Sequence, residues 1–117
     1  MTPGDIVLVD WRDALEASGE PNKRRPAIVV GEPPYFGTGL PFEIVVPLTR
    51  EAALAIPDAS LRIAPAPANG CAKLSYALSW NVQTVPHRRL SATRSRVTSD
   101  QLDVIRGQVA RCIGALS

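Results

Sequence analysis

The sequence predicts a mainly β fold, small and mostly antiparallel, with one amphipathic helix at its C-terminus. Three observations carry this. Short runs rich in branched apolar residues alternate with segments dense in Gly, Pro and Asn. The chain has 117 residues, which suits a single domain over 1–117 and is too short for two ordinary ones. Helical spacing of apolar residues emerges only near the C-terminus.

Asp5 to Trp11 (DIVLVDW), bounded by Pro3-Gly4, reads as the first strand. Arg12 to Arg25 is polar, contains Gly19, Pro21 and Asn22, and reads as a mobile loop long enough to serve as a lid or binding element. Pro26 to Gly31 (PAIVVG) is the second strand, with Pro26 at its start. Glu32 to Pro41 is a second loop. Phe42 to Thr49 (FEIVVPLT) is the third strand, and Pro47 inside it predicts an edge position or a bulge. Arg50 to Ile56 has the composition of one helical turn, and Ser60 to Ala64 that of a short fourth strand. After the turn-rich Pro65 to Lys73, Tyr76 to Val85 reads as one long strand. Tyr76, Leu78, Trp80, Val82 and Thr84 would share one of its faces. Thr98 and Gln101 match a capping box, and Leu102, Ile105, Val109, Cys112, Ile113 and Leu116 then form the stripe of an amphipathic helix.

Apolar residues make up 45% of the chain and charged residues 21%, enough for one core and incompatible with disorder of the whole. No apolar run is long enough to span a membrane, and the N-terminus lacks the blocks of a secretory signal. Two cysteines, Cys71 and Cys112, make no disulfide framework and read as buried or half-buried thiols of a cytoplasmic protein. With one histidine there is no zinc-type spacing, so neither a metal nor another cofactor is expected. The net charge is only +2, yet 11 of the 13 basic residues are Arg, and Pro86 to Thr98 holds four of them with no acid. Such a run is a solvated face or a phosphate-gripping surface. The chain has no phosphate-binding Gly loop and no nucleophile elbow. Glu16 and Glu20 are spaced as a helical acid pair in a segment unsuited to a helix, and His87 reads as a surface histidine.

The succession Gly4-Asp5-Ile6-Val7-Leu8-Val9-Asp10, Lys23-Arg24-Arg25-Pro26-Ala27-Ile28-Val29-Val30 and Val45-Val46-Pro47-Leu48-Thr49 resembles the MazF/PemK family, toxin endoribonucleases of bacterial type II toxin–antitoxin pairs. The similarity continues through Ser75-Tyr76-Ala77-Leu78, Val82-Gln83-Thr84-Val85 and Arg88-Arg89-Leu90, spanning about residues 4 to 114. The resemblance implies an SH3-like β-barrel assembled as a homodimer, with Arg25 and Thr49 as catalytic residues and Glu20 as a contributing acid. It also implies an RNA-binding surface to which Lys23, Arg24, Arg50, Asn81, Arg88 and Arg89 belong. The partners it implies are single-stranded RNA and a cognate antitoxin with an acidic, partly disordered segment, with DNA reached only through the antitoxin complex. This chain departs from the family where many members carry an Asp-Gln pair, replaced here by Trp80-Asn81. Trp80 is then either a core aromatic or a platform for an RNA base.

Metal-independent RNA cleavage needs an acceptor for the 2′-hydroxyl proton, charge stabilisation at the phosphorane and a donor to the leaving 5′-oxygen. A guanidinium holds its proton, so Arg25 suits the bidentate clamp rather than the base. Glu20 is the first candidate for the base and His87 the second. Two rival readings are a gyrase-poisoning toxin on the same fold and a non-catalytic barrel that binds nucleic acid or protein. The C-terminal Arg111 to Ser117 lacks the aromatic that gyrase poisons use.

Overall fold

The computed structural model describes residues 1–11, 24–36 and 39–116. Seven antiparallel strands and one α-helix are present among them: β1 (Asp5–Asp10), β2 (Arg24–Val29), β3 (Phe42–Thr49), β4 (Leu61–Ile63), β5 (Ser75–Ala77), β6 (Gln83–Pro86), β7 (Leu90–Arg96) and α1 (Ser99–Cys112). The strand order is β4-β5-β3-β2-β1-β7, with β6 also paired to β3. β1 lies between β2 and β7, so both its edges are paired, and its side chains enter apolar clusters on both faces, Ile6 on one and Val7 and Val9 on the other, which is why its sequence is almost continuously apolar.

The sheet has two apolar faces. Ile6, Ile28, Val46, Leu48 and Ile63 pack beneath Ile105 of α1. Val7, Val9, Ala27, Val29, Val45 and Val85 form a second cluster on the opposite face. A single 3-10 turn, His87–Arg89, carries the chain from Pro86 beside Phe42 to Leu90 beside Val9. So short a link requires the sheet to curl around the valine cluster. The expected closed barrel is not reached: among the described residues β7 pairs only with β1, and no ladder joins the two ends of the sheet.

The long strand expected over Tyr76 to Val85 is instead two short ones. β5 pairs with the end of β3 (Leu48↔Ala77) and β6 with its beginning (Val45↔Gln83). The mismatch between these registers is three residues, taken up by the 3-10 turn Ser79–Asn81. This breaks the expected face: Trp80 is exposed, not core, and its indole N–H donates to the Leu54 carbonyl at 2.9 Å. Pro47 is not on an edge strand either. It faces Ala27 on one side, and on the other it occupies the gap where β3 changes partner, so no ladder bond requires its missing N–H. β2 starts two residues earlier than expected, which makes Arg24 and Arg25 strand residues; the rest of the predicted loop lies outside the described residues. The short β4 and the helical turn at Ala52–Leu54 are present as expected.

β7 has no apolar run to announce it. It is an edge strand held by β1, with the Thr93 hydroxyl donating to the Ile6 carbonyl. Of its arginines, Arg96 pairs with Asp5 at 2.7 Å and clasps the N-terminus, whereas Arg94 is exposed. The capping box at Thr98 forms as predicted. The apolar stripe of α1 is shorter than expected: Leu102, Ile105 and Val109 pack on the sheet, but Cys112, Ile113 and Leu116 are exposed because the helix ends there. The buried face includes a polar residue instead. Gln108 donates to the Ser60 carbonyl at 2.9 Å and accepts from the Ser79 hydroxyl at 2.7 Å. Cys71 is half-buried and Cys112 exposed, and both are free thiols. No helix among the described residues is long and apolar enough to cross a membrane.

Candidate active site

Antiparallel pairing brings Arg25 and Thr49 together. Ala27 faces Pro47, and continuing that register by two residues carries Arg25 to the level of Thr49, with Val9 on its other side. Both sit at the rim where β2 starts and β3 ends. Arg25 is exposed, Thr49 half-buried. The Thr49 hydroxyl oxygen accepts from the Glu51 N–H at 3.1 Å, which stops the strand and leaves the hydroxyl hydrogen to donate elsewhere.

Two clefts meet at this rim, and Arg25, Pro26, Leu48 and Thr49 line both. The larger, of about 700 Å³, opens on the helix-bearing face; Arg24, Arg50, Ser75, Thr93, Ser95 and the carboxylate-bearing Glu51 line it. The smaller, of about 270 Å³, opens toward the valine cluster between Trp11, Pro47, Leu54, Leu78, Asn81 and Gln83. The cationic side chains therefore gather on one side of the Arg25–Thr49 pair, and an apolar pocket with two amides on the other.

Arg24, Arg50 and Asn81 thus lie with Arg25 and Thr49. Glu20 and Lys23 fall outside the described residues. Arg88 and Arg89 stand on the turn between β6 and β7 and line neither cleft. His87 is not brought to the site. It sits at the other end of β3, its backbone N–H donating to Pro41 and its Nε2 3.9 Å from the Glu43 carboxylate. Glu43 is itself buried, and burial pushes its carboxyl above the usual range, against smaller opposing effects of the Ile44 N–H and His87. Gly31 makes room for it, since a Cβ there would come within 2.5 Å of Oε1.

Sequence reasoning missed Glu51, the one acid among the described residues that lines either cleft. It also missed Gln83 and Trp11. Glu51 follows the segment Pro47-Leu48-Thr49 by two positions, which was its only available signal; Gln83 and Trp11 reach the site through pairing across distant strands.

The family model of PemK-like, MazF-like toxins of type II toxin–antitoxin systems matches residues 2–113, and the chain belongs to that family. Among solved structures, an endoribonuclease in complex with its cognate antitoxin from a mycobacterial species superposes with a TM-score of 0.77 at 14% identity, covering 100% of this chain and 98% of that one. MazF from Deinococcus radiodurans gives 0.73 at 22% identity, covering 97% and 96%. The Mycobacterium tuberculosis toxin MazF-mt6 gives 0.70 at 16%, covering 93% and 95%. At these identities the likeness establishes the fold. No curated protein matches the sequence.

Proposed function

We propose that this chain is the toxin of a type II pair and cleaves single-stranded RNA by intramolecular attack of a 2′-hydroxyl, without a metal ion. The observation that carries the reading is the placement of Arg25 and Thr49 at the common rim of the two clefts. A phosphodiester laid across the rim meets the Arg25 fork and the Thr49 hydroxyl together, while Arg24 and Arg50 face the neighbouring phosphates. The 2′-oxygen attacks the adjacent phosphorus, its proton passes to a carboxylate, and the bond to the 5′-oxygen breaks. The leaving oxygen takes a proton from water. The products are a 2′,3′-cyclic phosphate and a 5′-hydroxyl. Because the nucleophile belongs to the substrate, positioning supplies much of the acceleration. Arg25 and Thr49 hold the charge that develops on the phosphorane.

Two carboxylates compete for the proton: Glu51, which lines the larger cleft, and Glu20 of the 12–23 segment. The pH–rate profiles of Glu51→Gln and Glu20→Gln separate them, because only loss of the acceptor abolishes the alkaline-favoured limb. Single-stranded RNA suits the site because the linkage must swing into line, which a helix resists. In this reading the toxin acts in the cytoplasm as a homodimer and is silenced by an antitoxin whose acidic segment covers the Arg25 rim, with DNA met only through that complex. Sedimentation and growth arrest relieved by antitoxin co-expression read these assignments.

The test is labelled RNA incubated with the protein in EDTA, beside the same RNA with one deoxynucleotide 5′ of the scissile phosphate. Cleavage of the first and not the second is expected. Cutting of the deoxy substrate, or a requirement for magnesium, refutes the mechanism.

A further inference from the structure

Trp80 takes neither role that its sequence offers. It is 37% exposed, so it is no core aromatic, and it lines neither cleft, so it provides no platform there. What it holds is a turn. Its indole N–H donates to the Leu54 carbonyl at 2.9 Å, and its backbone N–H donates to the Ala59 carbonyl at 3.0 Å. The Ala52–Leu54 turn buries none of its residues, so core packing does not fix it and the indole bond at its last residue does.

From that turn the restraint runs to the rim. The Leu54 N–H donates to the Glu51 carbonyl at 3.0 Å, and the Glu51 N–H donates to the Thr49 hydroxyl oxygen at 3.1 Å. The circuit closes through the backbone: the Leu78 N–H, two residues before Trp80, donates at 2.9 Å to the carbonyl of Pro47, two residues before Thr49. A hydroxyl carries one hydrogen, and with one lone pair held by a fixed donor that hydrogen swings only through the remaining arc. The place of the Glu51 N–H therefore decides where the Thr49 hydroxyl points, and Trp80 fixes the turn that places Glu51.

We propose that Trp80 is a positioning residue for RNA cleavage: through Leu54 and Glu51 it aims the Thr49 hydroxyl at the scissile phosphate, without touching the substrate itself. The inference rests on the RNA-cleaving reading of the Arg25–Thr49 rim. Water can replace the indole as a donor to the exposed Leu54 carbonyl, but an exchanging water does not hold the turn in one place. Loss of the indole N–H therefore leaves the fold intact and misaligns a group that the transition state needs.

The experiment is single-turnover cleavage of a labelled oligonucleotide over a range of protein concentrations, by the full chain, by Trp80→Phe, by Thr49→Ala and by the double variant. Trp80→Phe keeps an aromatic side chain and removes the indole donor. Its saturating rate is expected to fall by about 10- to 100-fold, while the half-saturating concentration stays within about twofold because Arg24 and Arg50 still meet the phosphates. In the Thr49→Ala background the same change should cost less than about twofold, since the group it positions is gone. Should Trp80→Phe fail to fold, Trp80→Met, which also removes the donor and keeps apolar bulk, carries the same expectation. A wild type that cuts RNA beside a folded Trp80 variant of unchanged saturating rate overturns the positioning role and leaves the cleavage reading standing. So does an equal loss with and without the Thr49 hydroxyl, the result if Trp80 served only the fold or the cleft wall at Leu54. A wild type that cuts no RNA overturns both.

Discussion

Replacing Thr49 by alanine separates the two jobs its hydroxyl holds. In the free protein the oxygen accepts one backbone bond, from the Glu51 N–H at 3.1 Å, at a half-buried position. Water can replace that acceptor at the rim, so the stability cost is about 0.5–1.5 kcal/mol. If the hydroxyl also donates to a non-bridging phosphate oxygen, the transition state loses a charge-assisted bond, worth about 10²–10³ in rate or roughly 2.7–4 kcal/mol. The activity loss should therefore exceed the stability loss by at least about 1 kcal/mol. Single-turnover cleavage of a labelled oligonucleotide and urea denaturation of the same preparation give the two quantities side by side. Thr49→Ser keeps the oxygen and should retain most of both. A folded Thr49→Ala protein with near-normal cleavage, or one whose rate loss merely follows its unfolding, would show that the hydroxyl serves the strand end and not the phosphate.

Arg25→Ala should abolish cleavage, by about 10²–10³ or more, while far-ultraviolet circular dichroism stays that of the wild type, since the side chain is exposed; near-normal cleavage would remove the active-site assignment at its centre. Combined with Thr49→Ala the losses should fall short of additive, because both groups act on one phosphorane, and strict additivity in a double-mutant cycle would argue for separate sites. Gln108→Ala leaves the buried Ser79 hydroxyl and the Ser60 carbonyl without their partner and should cost about 2–4 kcal/mol in urea denaturation; a loss under 0.5 kcal/mol, about that of a neutral surface change, would mean the pair is dispensable. Glu43 holds its proton in the fold to a higher pH than in the unfolded chain, where its reference value is 4.5. Between those two values the folded state binds more protons, so stability should fall as pH rises through the window. Glu43→Gln should remove that decline, and an unchanged slope in denaturation series from pH 4 to 8 would refute the assignment.

Much of the fold is legible in the chain because its strongest signals are local. The branched run Ile6 to Val9 and the run Phe42 to Thr49 need only their own residues to declare strands, and Thr98 with Gln101 declares its helix start through a contact three residues long. Arg25 and Thr49 became candidates through the resemblance, because each lies in a short motif beside an apolar strand.

What the sequence could not decide is set by partners far apart in the chain. The alternation of Tyr76 to Val85 satisfies the pattern of one strand, but β3 offers that segment two registers three residues apart, and the turn that absorbs the mismatch throws Trp80 to the surface. β7 is a strand only because β1 has an edge to fill, and Gln108 is buried only because Ser79 and Ser60 meet it. The site follows the same division. The sequence by itself determined which side chains have the chemistry to hold a phosphate. Only the tertiary structure decided that Arg25 and Thr49 line the same two clefts, that Glu51 and Gln83 join them on opposite sides of the rim, and that His87 does not. Chemistry belongs to a residue, whereas proximity is a property of the register between strands, and register is settled by packing over the whole sheet.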